Sequence, residues 1–201
     1  MNSVKTRDDA WDVVQRHVTE RGLRRHMLAV SAAMADYARR LDEDAAYWGA
    51  VGLLHDFDWE IHPNLNEHPM KGADILRAEG WDEETIRVIL SHYTEGTGVE
   101  REKPIDFALM ACDEITGLII ATTLVKSSRH IGEVTTSSIR KKWKDRRFAA
   151  GVDRDDVTAV VADFSRECFD GQLELWDHIG NVLAAMQAAA PELELDGRLA
   201  G

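Results

Sequence analysis

Apolar residues recur at helical spacing along almost the whole chain, and no run of alternating polar and apolar positions predicts a strand. The first helix is expected over Asp8–Glu20, with Trp11, Val14 and Val18 on one face. The second is expected from Leu23 to Leu41, where Leu23, Met27, Val30, Met34, Tyr37 and Leu41 form an amphipathic stripe. His26 stands beside that stripe, near the helix start. A third helix is expected from Asp42–Asp44 through Trp48, Val51 and Leu54 to His55–Asp56. Gly49 and Gly52 would weaken it unless a neighbouring helix packs closely there.

After an irregular stretch at 61–67, Pro69 suits the first turn of a helix that ends near Gly80. Asp82 then reads as an N-cap, with Trp81 and Ile86 placed as a hydrophobic staple, for a helix closing near His92. Pro104 opens a long apolar helix reaching about Val125. A short basic helix near Ser137–Lys144 follows, and then two C-terminal helices. Val157, Val161 and Phe164 mark the first of these, and Trp176, Ile179 and Leu183 the second.

Composition bounds this all-helical picture. With 201 residues, 44% hydrophobic, four prolines and no Gly/Ser-rich linker, one domain over 1–190 is expected, with 191–201 as a flexible tail. No apolar leader opens the chain, and no stretch approaches the ~18 uninterrupted apolar residues of a membrane span, so the expectation is a cytoplasmic protein without membrane contact. Cys112 and Cys168 lie in apolar helical patterns that match no zinc or redox spacing; reduced core residues are expected. Six tryptophans leave room for an apolar surface on which copies could associate as a homo-oligomer.

The net charge of −12 argues against nucleic acid as a partner. Between Lys126 and Arg147, however, eight basic residues face only Glu133 and Asp145. Such an island suits either an anionic partner or a solvated helix face.

Two places look chemically unusual. Asp113 sits in FALMACDEITGLIIA, among apolar neighbours. A buried carboxylate there must cap a helix, pair with a cation or bind a metal. His55-Asp56 follows the apolar GAVGLL at the end of a core helix. A lone histidine in that setting is more often a hydrogen-bonded core residue. The adjacent aspartate shifts the reading, because imidazole plus carboxylate suits divalent transition metals. His68 and His92 both fall at helix termini, where side chains can reach a cleft. His17, His62, His130 and His178 sit in no comparable setting.

His26, then His55-Asp56, then Asp113 resembles the H…HD…D signature of the HD-domain superfamily, and the surrounding HMLAV, GLLHDFDWE, EHPMKGADIL, ILSHY and ACDEITGLI are similar to its small stand-alone HDIG-type hydrolases. The resemblance runs from about His26 to Leu118, within a motif-bearing part of about 23–125. It implies an all-α, single-domain helical bundle in which His26, His55, Asp56 and Asp113 bind a divalent metal (Fe, Mn, Zn, Ni or Co). Relatives with further histidines between the HD pair and the last aspartate hold two metals bridged by the HD aspartate. His68 and His92 match that second pair, which favours a dinuclear site. Phe57-Asp58 departs from the Ile-Gly-then-Lys found in many relatives, and the GYP extension of cyclic-di-GMP phosphodiesterases is absent.

The resemblance implies a phosphohydrolase that attacks a small phosphorylated substrate or nucleotide with metal-activated water. Asp56, Asp58 and Glu60 are the candidate catalytic acids. Lys71, Lys126 and Arg129 are the candidate substrate-binding cations, with Arg140, Lys141 and Lys142 behind them. Two alternatives stay open: a di-iron oxygenase of a polyol or phosphonate, which needs the same ligands, and a non-catalytic metal-binding regulatory module.

Overall fold

The computed structural model describes residues 5–200, and among these the chain folds into ten helices with no strand. They are α1 (Arg7–His17), α2 (Arg21–Arg40), α3 (Ala45–Leu54), α4 (Met70–Ala78), α5 (Glu83–Ser91), α6 (Thr94–Thr97), α7 (Pro104–Leu124), α8 (Thr136–Trp143), α9 (Arg154–Cys168) and α10 (Leu175–Ala188). A 3-10 turn at Ile131–Glu133 precedes α8. Starts are written locally. Asp44, Asp82 and Asp153 each accept from backbone N–H groups of the first turn of α3, α5 and α9. One element has no counterpart in the apolar pattern. The single turn α6, closed by Gly98 at φ 71°, is too short to show a period.

α2 and α3 pack along much of their length, α1 covers α3, and α7 lies against α2 and α9 with α10 across it. Gly52 explains the closeness of α2 and α3: a Cβ there would lie 2.8 Å from the backbone of Ser31. Gly49 likewise faces the Ser31 hydroxyl, so both glycines serve the contact expected of them. α7 is long and apolar enough in composition to cross a membrane, but here it is the central core helix, with Leu109, Cys112, Ile115, Leu118 and Ile119 buried.

The segment from Pro191 corrects the expectation of a loose tail. Leu193 and Leu195 are fully buried, and Arg25 donates to the Leu193 carbonyl at 2.8 Å. Arg21 makes two 2.8 Å bonds to Glu194. Two leucines separated by one residue are too short a signal to stand out in sequence, yet they fill a gap beside α2.

A buried ion pair ties α5 to α7. Asp106 is fully buried; it accepts both Arg87 guanidinium arms at 2.9 Å and the backbone N–H groups of Glu102 and Lys103 at 2.9 Å. Asp106→Ala strips these donors of their acceptor, so a loss of about 3 kcal/mol is expected in urea unfolding. A loss below about 1 kcal/mol would show that solvent compensates the pair.

Candidate metal centre

Five separate elements deliver the six expected ligands. His26 lies in the second turn of α2, and His55 and Asp56 follow the last turn of α3. His68 precedes α4, His92 ends α5, and Asp113 sits in the middle of α7. His26, His55 and Asp113 form one group of converging ligand atoms, and Asp56, His68 and His92 form a second. In the first, Nε2 of His26 lies 3.2 Å from Nε2 of His55 and 3.0 Å from Oδ1 of Asp113. In the second, Nε2 of His68 lies 3.0 Å from Nε2 of His92.

Asp56 joins the two groups. Its Oδ2 faces the first, 3.8 Å from His26 Nε2 and 3.6 Å from His55 Nε2. Its Oδ1 faces the second, 3.3 Å from His68 Nε2 and 3.7 Å from His92 Nε2. Donors about 2.1 Å from one ion at tetrahedral to octahedral angles stand roughly 3.0–3.5 Å apart. The His26, His55 and Asp113 atoms and the His68–His92 pair have that spacing, and the longer Asp56 contacts exceed it by up to about 0.3 Å.

The outward ring nitrogens show which side of each imidazole is free. Nδ1 of His55 donates to the Gly52 carbonyl at 2.9 Å, and Nδ1 of His92 donates to the Ile89 carbonyl. Nδ1 of His68 donates to Asp58 Oδ1 at 2.8 Å. Thr116 gives its own proton to the Asp113 carbonyl, so its oxygen accepts from His26 Nδ1 at 3.2 Å. Each of the four imidazoles thus turns Nε2 inward, where two pairs meet at 3.0–3.2 Å. Facing lone pairs repel unless a cation lies between them, so the residues fit two metal ions.

Electrostatics agree. Burial opposes charging of His55, yet the carboxylates of Asp56 and Asp113 outweigh it and raise the imidazole to about 9. Burial likewise disfavours charge on Asp113, but His55 and His26 hold its carboxyl well below the usual range. On the protein's own charges the cluster calls for a cation, which a proton or a metal can supply. Glu114, beside Asp113, is pushed up to about 7 by burial and by the Asp113 charge.

The other expected site residues separate from the ligands. Asp58 is buried, with one oxygen on His68 and the other accepting from Gly72 N–H at 3.0 Å, so it orients a ligand rather than serving as a free base. Gly72 is required for this, because a Cβ there would lie 2.7 Å from the Asp58 carboxyl carbon. Glu60 accepts from the N–H groups of Thr19 and Glu20 and from the Thr19 hydroxyl; these bonds lower its pKa and hold it to the chain before α2. Lys126 lies just past the end of α7, whereas Asp113 sits mid-helix, about 16 Å of rise before its last residue Leu124. Arg129 is exposed and donates to the Leu199 carbonyl at 2.9 Å.

Lys71 is exposed on α4. The basic helix α8 is engaged locally: Arg140 lies over the Trp176 ring at 4.0 Å and Lys142 over Phe148 at 4.4 Å. Thr116 and Gly72 were missed because neither residue type signals a supporting contact until the fold brings its partner close.

Asp58→Asn is expected to loosen His68 and weaken the metal held by Asp56, His68 and His92 by about 10–100-fold, while the group around His26 and His55 keeps its ion. Metal titration of the variant checks this. Equal loss at both positions would contradict it.

The bundle brings these side chains together from separate elements, in the chain order His, His-Asp, Asp. Residues 23–116 match the family model of the HD domain, and this part of the chain is an HD domain. No curated protein and no solved structure matches it significantly.

Proposed function

We propose that the protein is a dinuclear metal-dependent phosphohydrolase acting on a small phosphate ester. The observation that carries this reading is the pair of ligand groups joined by the two oxygens of Asp56. Bound divalent ions would acidify a water and polarise a phosphoryl oxygen. The chain's part is to fix their spacing, through His26, His55 and Asp113 on one side and His68 and His92 on the other.

Charge supports a phosphate substrate. Two carboxylates and four neutral imidazoles leave two divalent ions under-neutralised, so the cluster attracts a phosphate dianion without help from lysine or arginine. Asp58 keeps His68 in the tautomer that offers Nε2, and Thr116 does the same for His26.

The test is to load the protein in turn with Mn, Fe, Co, Ni and Zn and assay phosphomonoesters with and without oxygen. Phosphate release at equal rates in both atmospheres, abolished by chelation, is the expected result. Turnover that requires oxygen would instead establish iron oxygen chemistry on the same donors. Bound metal with no turnover in any arm would identify a regulatory module.

A further inference from the structure

A cavity of about 540 Å³ opens beside His26, between the start of α2, the loop after Asp56 and the middle of α7. Its size is that of a small-molecule site. It continues the ligand-bearing faces of two helices. On α7, Gly117 and Ile120 line it, one and two turns beyond Asp113 on the same face. On α2, Leu23 lines it three residues before His26. Trp59 forms another wall and packs edge-on against His68 at 5.0 Å, so the cavity adjoins both ligand groups.

The chemistry of the walls is one-sided. Among the described residues no lysine or arginine lines the cavity. The only formal charges there are Glu20 and Glu60, whose carboxylates already accept backbone N–H groups at the start of α2. Their fixed negative charge repels a second phosphate. From the loop between Asp56 and His68, Trp59 and Pro63 give the cavity apolar lining. Trp59, Ile61 and Leu65 stand exposed on that loop, three of the four large hydrophobic side chains that are exposed among the described residues. Exposed apolar surface on a cavity-lining loop suits a contact site.

We propose that this cavity takes the uncharged, apolar leaving group of a phosphomonoester whose phosphate sits at the metal ligands. The substrate class is then a monoester of an apolar or aromatic alcohol, rather than a polyphosphate, a nucleoside triphosphate or a polyol phosphate. Hydrolysis breaks the ester P–O bond, a water oxygen forms the new one, and a water proton ends on the released alcohol. The phosphate end rests on the phosphohydrolase reading, whereas the apolar end rests on the cavity alone.

The test measures binding of a non-hydrolysable series, methylphosphonate to n-hexylphosphonate, to the manganese-loaded full chain by calorimetry. Affinity should rise about fourfold per added methylene, the gain from burying a CH₂ group. Hexylphosphonate should bind more tightly than inorganic pyrophosphate or a nucleoside triphosphate. Ile120→Glu should flatten the series, with retained metal stoichiometry showing that the variant is folded.

A flat series in the unaltered protein, with methylphosphonate still bound in a metal-dependent way, overturns the cavity assignment alone. Tighter binding of the triphosphate also overturns it. A chain-length gain of the same size and affinity in Asp56→Ala would remove the phosphate from the metals, and with it the phosphomonoester, while the apolar cavity stands.

Discussion

Asp56→Ala is expected to cost both metal ions at once and to lower phosphoester hydrolysis by about 10³-fold or more. The physical reason is the division of one carboxylate between two groups, with Oδ2 toward His26 and His55 and Oδ1 toward His68 and His92. Removing it takes a ligand oxygen from each side and the one negative charge that the two sides share. Loss of metal-assisted charge stabilisation amounts to several kcal/mol, and about 4 kcal/mol corresponds to about 10³ in rate. Elemental analysis of the purified variant should find well under one ion per chain, with an unchanged far-ultraviolet circular dichroism spectrum. Two retained ions would remove the bridging role of Asp56. Asp58→Asn is the informative contrast, because Asp58 touches only His68 and should weaken one group only.

Metal-free protein should lose stability as the pH rises from 6 to about 9.5, and the metal-loaded protein should not. His55 is fully buried and its pKa is raised from 6.5 to about 9: Asp56 and Asp113 outweigh the burial that opposes its charge. A raised value means that the folded chain holds a proton the unfolded chain has released. The resulting stabilisation is complete below about pH 6.5 and lost as pH rises through about 9. A shift of that size corresponds to about 3 kcal/mol.

The slope above about pH 7.5 reports His55 most directly. Burial lowers the His178 pKa to about 4, so below about pH 7.5 it adds stability as pH rises, and Glu114, raised to about 7, loses stability over the same lower range. Urea midpoints measured with and without chelator across pH 6–9.5 check the prediction. The same linkage makes metal affinity weaken in acid, because an incoming ion must displace the His55 proton. Parallel pH curves for the two forms would show that His55 carries no proton in the metal-free protein.

Much of the fold was legible because its signals are local. The stripe of α2, the Asp82 cap with Trp81 and Ile86, and Pro104 at the start of α7 each depend on residues within one or two turns. The glycines of α3 were legible for a related reason: a residue that costs helix stability needs a neighbour, and Ser31 of α2 is that neighbour. The basic segment was legible in composition but not in role, since the Trp176 ring under Arg140 comes from a helix thirty-six residues away. The tail was misread because Leu193 and Leu195 gain meaning only beside Arg25 of α2.

The sequence by itself determined that this protein is helical, because the apolar spacing is local, and its resemblance to the HD signature marked six side chains as candidate metal ligands. Tertiary structure alone decided what the remaining polar residues do. Asp58 and Glu60 follow the HD pair by only two and four positions, yet one is turned onto His68 and the other onto the chain before α2. Of the cations expected to hold phosphate, Lys71 is exposed on α4 and Lys126 and Arg129 lie beyond α7, and an apolar cavity occupies the place beside His26. Direction and distance between helices are set by packing across the core, and no local pattern encodes them.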